Sequence, residues 1–325
     1  MNLPPNFLSR RSLMIGLSSL PLLARAQGYP ARPVTVVIPY APGGTTDIVG
    51  RLIAQSLATS TGKTFISENK GGGSTTIATG FVAKAPADGY TLLANEMTQT
   101  IIPSLFPKLP FDPIKDLAPV TVFAEAPYVL VVNSSVPAKN LRELVELAKA
   151  RPGKLNFASG GAGSGPHIAG ELLKSVAGID MTHIAYKGSG PAVADLLGGQ
   201  VEVLVTAAPT VSAQMASGRM RPLAVAHTKR LSSLPNVPTA AEAGFPDFLI
   251  ANWFGLAAPR GTPAEVVNYL HAEIQKILKK PDLRERLVAA GAEPVSMTPA
   301  EATRHVEAEA RRWSDLIARA RIKVD

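Results

Sequence analysis

The sequence contains no cysteine. Disulfides, thiolate catalysis, Cys-ligated zinc and iron–sulfur clusters are therefore excluded. Aromatic residues make up only 6%, and Lys and Arg are interleaved with acids, as in Arg284-Glu285-Arg286. With no basic block and no aromatic platform for bases, nucleic acid is not expected as a partner. Beyond residue 26 no apolar run is long enough to cross a bilayer. Charged residues are few, 18% against 46% hydrophobic, which excludes a disordered chain and leaves enough apolar surface for a core. The 27 Gly and 28 Pro follow no period, so a collagen-like repeat is excluded and many turns are expected. A length of 325 residues gives room for about two domains.

Residues 1–26 read as an export signal. Ser9-Arg10-Arg11-Ser12-Leu13-Met14 is a twin-arginine pattern. Leu13 to Leu23 is a short apolar run, and Ala24-Arg25-Ala26 is a small-x-small cleavage site. The mature chain is expected to start at Gln27, soluble and outside the cytoplasm. Paired arginines suit the Tat route, and Sec signals also carry them. The net charge of +8 falls by three when Arg10, Arg11 and Arg25 leave, and the rest reads as a mildly basic solvated surface.

Along the mature chain strands and helices alternate. Val34 to Tyr40 is β-branched and almost continuously apolar, as a strand covered on both faces is. Asp47 to Ser60 places Ile48, Val49, Leu52, Ile53 and Leu57 at helical spacing. Pro127 to Asn133, Leu155 to Ala158 and Val201 to Val205 read as further strands. Asn140 to Ala150 reads as an amphipathic helix, with Asn140 and Glu143 fitting a capping box. Thr262-Pro263-Ala264-Glu265 and Thr298-Pro299-Ala300-Glu301 have the same form: N-cap, Pro at the first helical position, Glu at the third. The alternation predicts an α/β fold with mostly parallel sheets.

One arrangement occurs twice. A buried strand, a Gly-Gly loop and a helix start run through Pro42-Gly43-Gly44-Thr45-Thr46-Asp47 and again through Ser159-Gly160-Gly161-Ala162-Gly163-Ser164. A helix N-terminus carries unpaired N–H groups and partial positive charge, which favour a carboxylate or phosphate. Glycine lets a ligand approach the backbone, and Thr45, Thr46, Ser159 and Ser164 add hydroxyls. An ordinary tight turn uses Gly-Gly as well, but two such loops, with Gly71-Gly72-Gly73-Ser74 and Gly188-Ser189-Gly190-Pro191, favour a binding cleft.

Nucleotide and catalytic motifs do not fit. Thr61-Gly62-Lys63-Thr64 has Leu57 where a Walker A loop needs Gly. Gly161-Ala162-Gly163-Ser164-Gly165-Pro166 has Pro at the third glycine of a dinucleotide fingerprint. No cofactor and no metal are expected. Ser164 and His167 lie close enough to form a nucleophile–base pair; the favoured reading makes Ser164 a helix cap and puts His167 in the first turn. His167 and Glu171 have i, i+4 spacing without a third metal ligand near in sequence. His183 reads as core or surface. Asp47 has two readings, a partner for a ligand amine or hydroxyl and a favourable charge in a first helical turn.

These residues resemble a known family. Tyr29-Pro30, Pro39 to Asp47, Glu68 to Gly73, Ala83 to Leu92, Leu109 to Pro113, Ser159 to His167, Tyr186-Lys187-Gly188, Leu196 to Val201, Pro238-Thr239 and Trp253-Phe254-Gly255 are similar, in order, to the Bug-type receptors. These are TctC-like solute-binding proteins of tripartite tricarboxylate transporters. Asn69-Lys70-Gly71-Gly72-Gly73 departs from the family's frequent Arg-Pro-Gly-Ala. The resemblance implies a type II periplasmic-binding-protein fold of two α/β lobes joined by two crossover strands. Residues 27–124 plus 252–325 would form lobe 1 and residues 125–251 lobe 2. It also implies a carboxylate held by backbone groups and waters at two βα loops, here Tyr40 to Asp47 and Ser159 to His167. The expected ligand-binding residues are Tyr40, Ala41, Gly43, Gly44, Thr45, Thr46, Asp47, Ser159, Gly160, Gly161, Gly163, Ser164, His167 and Gly188. The expected activity is capture without chemistry. A monomeric periplasmic receptor would deliver a small organic acid to membrane transporter subunits. The alternatives are an exported hydrolase using Ser164 and His167, and a ligand-sensing partner of a membrane signalling protein.

Overall fold

The computed structural model describes residues 28–186 and 188–323. The expected signal segment and its cleavage site lie outside the described residues. The fold below is that of the unit that begins at Arg32.

Its elements alternate as the periodicity implies. They run β1 (Val34–Ile38), α1 (Thr45–Thr61), β2 (Phe65–Asn69), α2 (Thr76–Ala83), β3 (Thr91–Glu96), α3 (Thr98–Leu105) and β4 (Leu117–Asn133). There follow α4 (Leu141–Ala150), β5 (Asn156–Ser159), α5 (Gly165–Ala177), β6 (Thr182–Ala185), α6 (Ser189–Leu197) and β7 (Val203–Ala207). The chain continues with α7 (Ser212–Ala216), β8 (Met220–Val225), β9 (Ala251–Pro259), α8 (Ala264–Leu278), α9 (Pro281–Ala289), β10 (Glu293–Pro294) and α10 (Pro299–Ala320). No helix among the described residues is long and apolar enough to cross a membrane.

The strands follow the order β2-β1-β3-β9-β4-β7-β5-β6. Each end has a parallel core, β2-β1-β3 on one side and β7-β5-β6 on the other. β1 is the middle strand of its trio, which accounts for its unbroken apolar run. Between the cores β4 and β9 run antiparallel. β4 is the hinge of the topology: up to Pro127 it pairs with β9, and from Tyr128 it pairs with β7 and β8. Pro127, which has no N–H to give to a ladder, sits at that change of partner. Each side buries its own core. Val37, Ala78, Val82, Leu93, Leu117 and Ala257 cluster on one side; Val129, Val131, Ala158, Leu196, Leu204 and Val225 are among those on the other.

The two Thr-Pro-Ala-Glu segments part company. Thr298 caps α10 with the full reciprocal box to Glu301. Thr262 does not cap α8, contrary to the sequence expectation. It is buried, its hydroxyl donates to the Pro259 carbonyl at 2.8 Å, and the helix starts one residue later with Pro263 as N-cap. At α4 the Asn140 side chain accepts from the Glu143 N–H at 3.0 Å. The returning Glu143 carboxylate takes the backbone N–H of Lys139 at 2.6 Å and the side-chain amide of Asn140 at 2.7 Å, not the Asn140 backbone N–H.

Candidate functional site

A cleft of about 660 Å³ opens where the two parallel cores meet across β4 and β9. The carboxyl ends of β1 and β5 feed loops into it, the usual place for a ligand in an open α/β sheet. Of the fourteen expected residues, Tyr40, Ala41, Gly43, Gly44, Thr45, Thr46, Gly160, Ser164 and Gly188 line it. Asp47, Ser159, Gly161, Gly163 and His167 are not among the lining residues and belong to the same two loops and helix starts.

Three helix starts converge on the cleft: Gly44 to Thr46 of α1, Ser164 to Pro166 of α5, and Gly188 to Pro191 of α6. None has a side-chain cap, which leaves the N–H groups of Thr45, Thr46, Gly165, Ser189 and Gly190 to meet an acceptor; the Ser164 and Gly188 N–H groups donate to the Gly161 and Gly160 carbonyls at 3.1 Å, and Pro166 and Pro191 have none. Ser164 stands at the N-cap of α5, yet its hydroxyl donates to the Gly161 carbonyl at 2.7 Å. Gly43 and Gly188 lie at φ +94° and +115°, conformations that glycine adopts without strain.

The expected residues that do not line the cleft hold the loops in shape. Asp47 accepts from the Gly43 N–H at 3.0 Å, from Arg51 at 2.8 Å and from Asn69 at 2.8 Å. Burial works to raise its pKa, but the bonds from Asn69, Gly43 and Arg51 outweigh it and hold the carboxyl below the usual range. His167 Nδ1 accepts from the Gly163 N–H at 3.0 Å, which requires a neutral ring with its proton on Nε2. The ring stacks on His183 at 3.8 Å between centroids, and His183 Nε2 meets the Ser159 hydroxyl at 2.7 Å. Burial first, then the charges of His183 and Lys174, push His167 down to about 3. Burial, then Lys174, pushes His183 down to about 4. Ser164 and His167 thus each bond to the loop backbone, and Glu171 pairs with Lys174 at 3.1 Å.

The floor was not expected from the sequence. Glu96 ends β3, Thr98 opens α3, Tyr128 lies at the partner change of β4, and Asn252 is near the start of β9; all four line the cleft. Tyr40 donates its hydroxyl to Glu96 Oε1 at 2.8 Å and lies 3.0 Å from the Thr98 hydroxyl. The Thr98 N–H also donates to Glu96 Oε1, at 3.0 Å. Burial raises the Glu96 pKa despite bonds from Thr98, Tyr40 and Asn252. Burial likewise raises Tyr40 and Tyr128 well above 10, with the Glu96 charge adding to both. The available signal was a polar residue at the carboxyl end of an apolar strand, as in Leu92-Leu93-Ala94-Asn95-Glu96.

Two bonds join the β1 side to the β5 side: Thr45 to Thr210 between hydroxyls at 3.3 Å, and Ser74 to the Ala162 carbonyl at 2.9 Å.

Comparison with known proteins places this architecture. The model of the family described as tripartite tricarboxylate transporter family receptor, TctC, matches residues 49–322. Protein BugT of Bordetella pertussis is 36% identical over 307 residues, covering 94% of each chain. An R. palustris protein solved with adipate is 38% identical, with a TM-score of 0.85 over 91% of this chain and 99% of its own. MatC of Rhodopseudomonas palustris, solved with malate, is 35% identical, with a TM-score of 0.81 over 89% of this chain and 100% of its own.

Proposed function

Since the chain belongs to the tripartite tricarboxylate transporter receptor family and is thereby a solute-binding receptor of the periplasmic-binding-protein fold, we propose that it captures a small organic acid in this cleft and delivers it to the membrane subunits of such a transporter. The observation that carries the ligand class is the convergence of three uncapped helix N-termini on one cleft. Backbone N–H bonds to a carboxylate are charge-assisted, each worth about 1.5–3 kcal/mol. Three or four, less the cost of association, reach a Kd in the micromolar range, about −8 kcal/mol. The adipate and malate held by similar proteins support an acid as ligand.

The nine expected residues on the wall are the ligand contacts in this reading, and the other five shape the loops. Residues 27–124 with 252–325 act as one lobe and 125–251 as the second. The change of partner between Pro127 and Tyr128 and the start of β9 at Ala251 support that division. Capture then closes one lobe on the other, with the Thr45–Thr210 and Ser74–Ala162 bonds joining the β1 side to the β5 side. Turnover is not part of this reading, because the Ser164 hydroxyl and His167 Nδ1 are both engaged by loop backbone. The chain acts as a periplasmic monomer, exported and cleaved after Ala26. Mass spectrometry of small molecules released on denaturing the purified protein tests the proposal. An organic acid at near-stoichiometric yield supports it; a neutral sugar or a nucleotide instead refutes it.

A further inference from the structure

We propose that Glu96 reads the far end of the ligand and that this end is a cationic nitrogen, so that the molecule captured is an amino-carboxylate rather than a dicarboxylate. The proposal rests on the carboxylate reading above and adds the chemistry of the opposite end.

Glu96 lines the cleft and is only 3% exposed. Its protein donors are neutral: the Tyr40 hydroxyl, the Thr98 N–H and Asn252. No lysine, arginine or histidine among the described residues forms an ion pair with it. A buried carboxylate with neutral donors alone is costly unless it gains a counter-charge or a proton. Burial already drives its pKa upward, so a cation arriving in the cleft supplies what the fold withholds.

A second observation comes from Tyr128. It is 3% exposed and lines the cleft. A Cβ on Gly165 would lie 2.1 Å from its hydroxyl oxygen, so only glycine at the start of α5 lets the hydroxyl stand there. Glu96 and Tyr128 line the same cleft, and the Glu96 charge adds to the raised Tyr128 pKa after burial. The cleft is therefore dipolar, with helix N-termini on the wall and a carboxyl with phenolic oxygens on the floor. An ammonium group satisfies the floor in charge and in hydrogen bonds. A second carboxylate would set like charges side by side in a dry site. A hydroxyl would bond but leave the charge unmet.

The test is calorimetry at neutral pH with three matched sets that differ only at the far end. They are 4-aminobutyrate, butyrate and succinate; 6-aminohexanoate, hexanoate and adipate; and 4-(aminomethyl)benzoate, 4-methylbenzoate and terephthalate. In at least one set the ammonium member should bind at least about tenfold tighter than the other two, the scale of one hydrogen bond to a charged group. Glu96→Gln should erase that preference. A wild-type ranking with the dicarboxylate tightest overturns the proposal without any variant, as does a preference that survives Glu96→Gln in protein of unchanged circular dichroism. If carboxylates bind whatever their far end, the Glu96 proposal alone fails. If no member of any set binds, the carboxylate reading fails with it.

Discussion

Gly44→Val separates binding from folding. Gly44 is the N-cap of α1 at φ −83°, ψ 167°, an extended conformation open to every residue. A Cβ built there meets nothing within 4 Å. The helix-closing bond from the Ile48 N–H to the Gly44 carbonyl, 3.0 Å, uses backbone only. Exchanging glycine for an apolar N-cap costs about 1 kcal/mol or less, or roughly 2–4 °C in the melting midpoint. In the cleft the isopropyl group covers the N–H groups of Thr45 and Thr46 and takes volume from the ligand. Losing one charge-assisted bond of about 1.5–3 kcal/mol weakens binding by roughly tenfold to a hundredfold, at about 1.4 kcal/mol per decade. Calorimetry with the acid recovered from the wild type, beside a thermal scan of the free protein, reads both numbers. Affinity within twofold of wild type, in a variant that melts normally, would refute the role of the α1 N-terminus.

Gly161→Val should behave differently, because Gly161 lies at φ +132°, where any side chain is strained by about 1–3 kcal/mol. Its free-protein midpoint should drop clearly below that of Gly44→Val, and equal midpoints would contradict the strain. Gly170→Ala should lower stability although alanine favours helices by about 1 kcal/mol. The new Cβ would lie 2.1 and 2.4 Å from ring atoms of the buried Phe157, and overpacking of about 1–3 kcal/mol wins; an unchanged or raised midpoint would show that the ring yields. The stacked histidines make stability fall in acid. Their folded pKa values of about 3 and 4 lie below the unfolded value near 6.5, so the unfolded chain binds more protons. Their contribution is complete above pH ~6.5 and is lost as pH falls toward 4 and 3. Denaturant titrations at stepped pH should give a shallower acid loss for His183→Gln than for wild type; parallel slopes would remove the pair from that role.

What was legible in the sequence was local. The strand–Gly-Gly–helix units announced themselves because a buried strand, a glycine turn and a helical period follow one another within about twenty residues. The wall of the cleft was found for that reason. Its floor was not, because Glu96, Tyr128 and Asn252 meet only once β3, β4 and β9 lie together. The sequence places His183 in the core or on the surface without a partner; it joins His167 because β6 pairs with β5, Phe157 opposite His183. β4 was read only from Pro127 to Asn133, although it begins at Leu117. Pro119 and Glu125 break the apolar run, and it is β9 that keeps the first half extended. Thr262 and Thr298 head the same four residues, and only the burial of Thr262 decides that it gives its hydroxyl to Pro259 and leaves α8 uncapped.

The central claim is that helix N-termini in this cleft recognise a carboxylate, and a thermal scan of the wild-type protein with an acid and its methyl ester tests it most directly. A ligand that binds only the folded state stabilises it by RT ln(1 + [L]/Kd), about 2.7 kcal/mol at a hundredfold excess over Kd. At about 2–4 °C per kcal/mol, the acid recovered from the protein should raise the midpoint by roughly 4–8 °C. Its ester, which differs by one lost charge and one methyl group, should not raise it. Added salt should weaken the effect only modestly, since a closed cleft is poorly screened. Equal stabilisation by acid and ester, or stabilisation by neutral sugars alone, would contradict the account and reduce the glycine loops to turns.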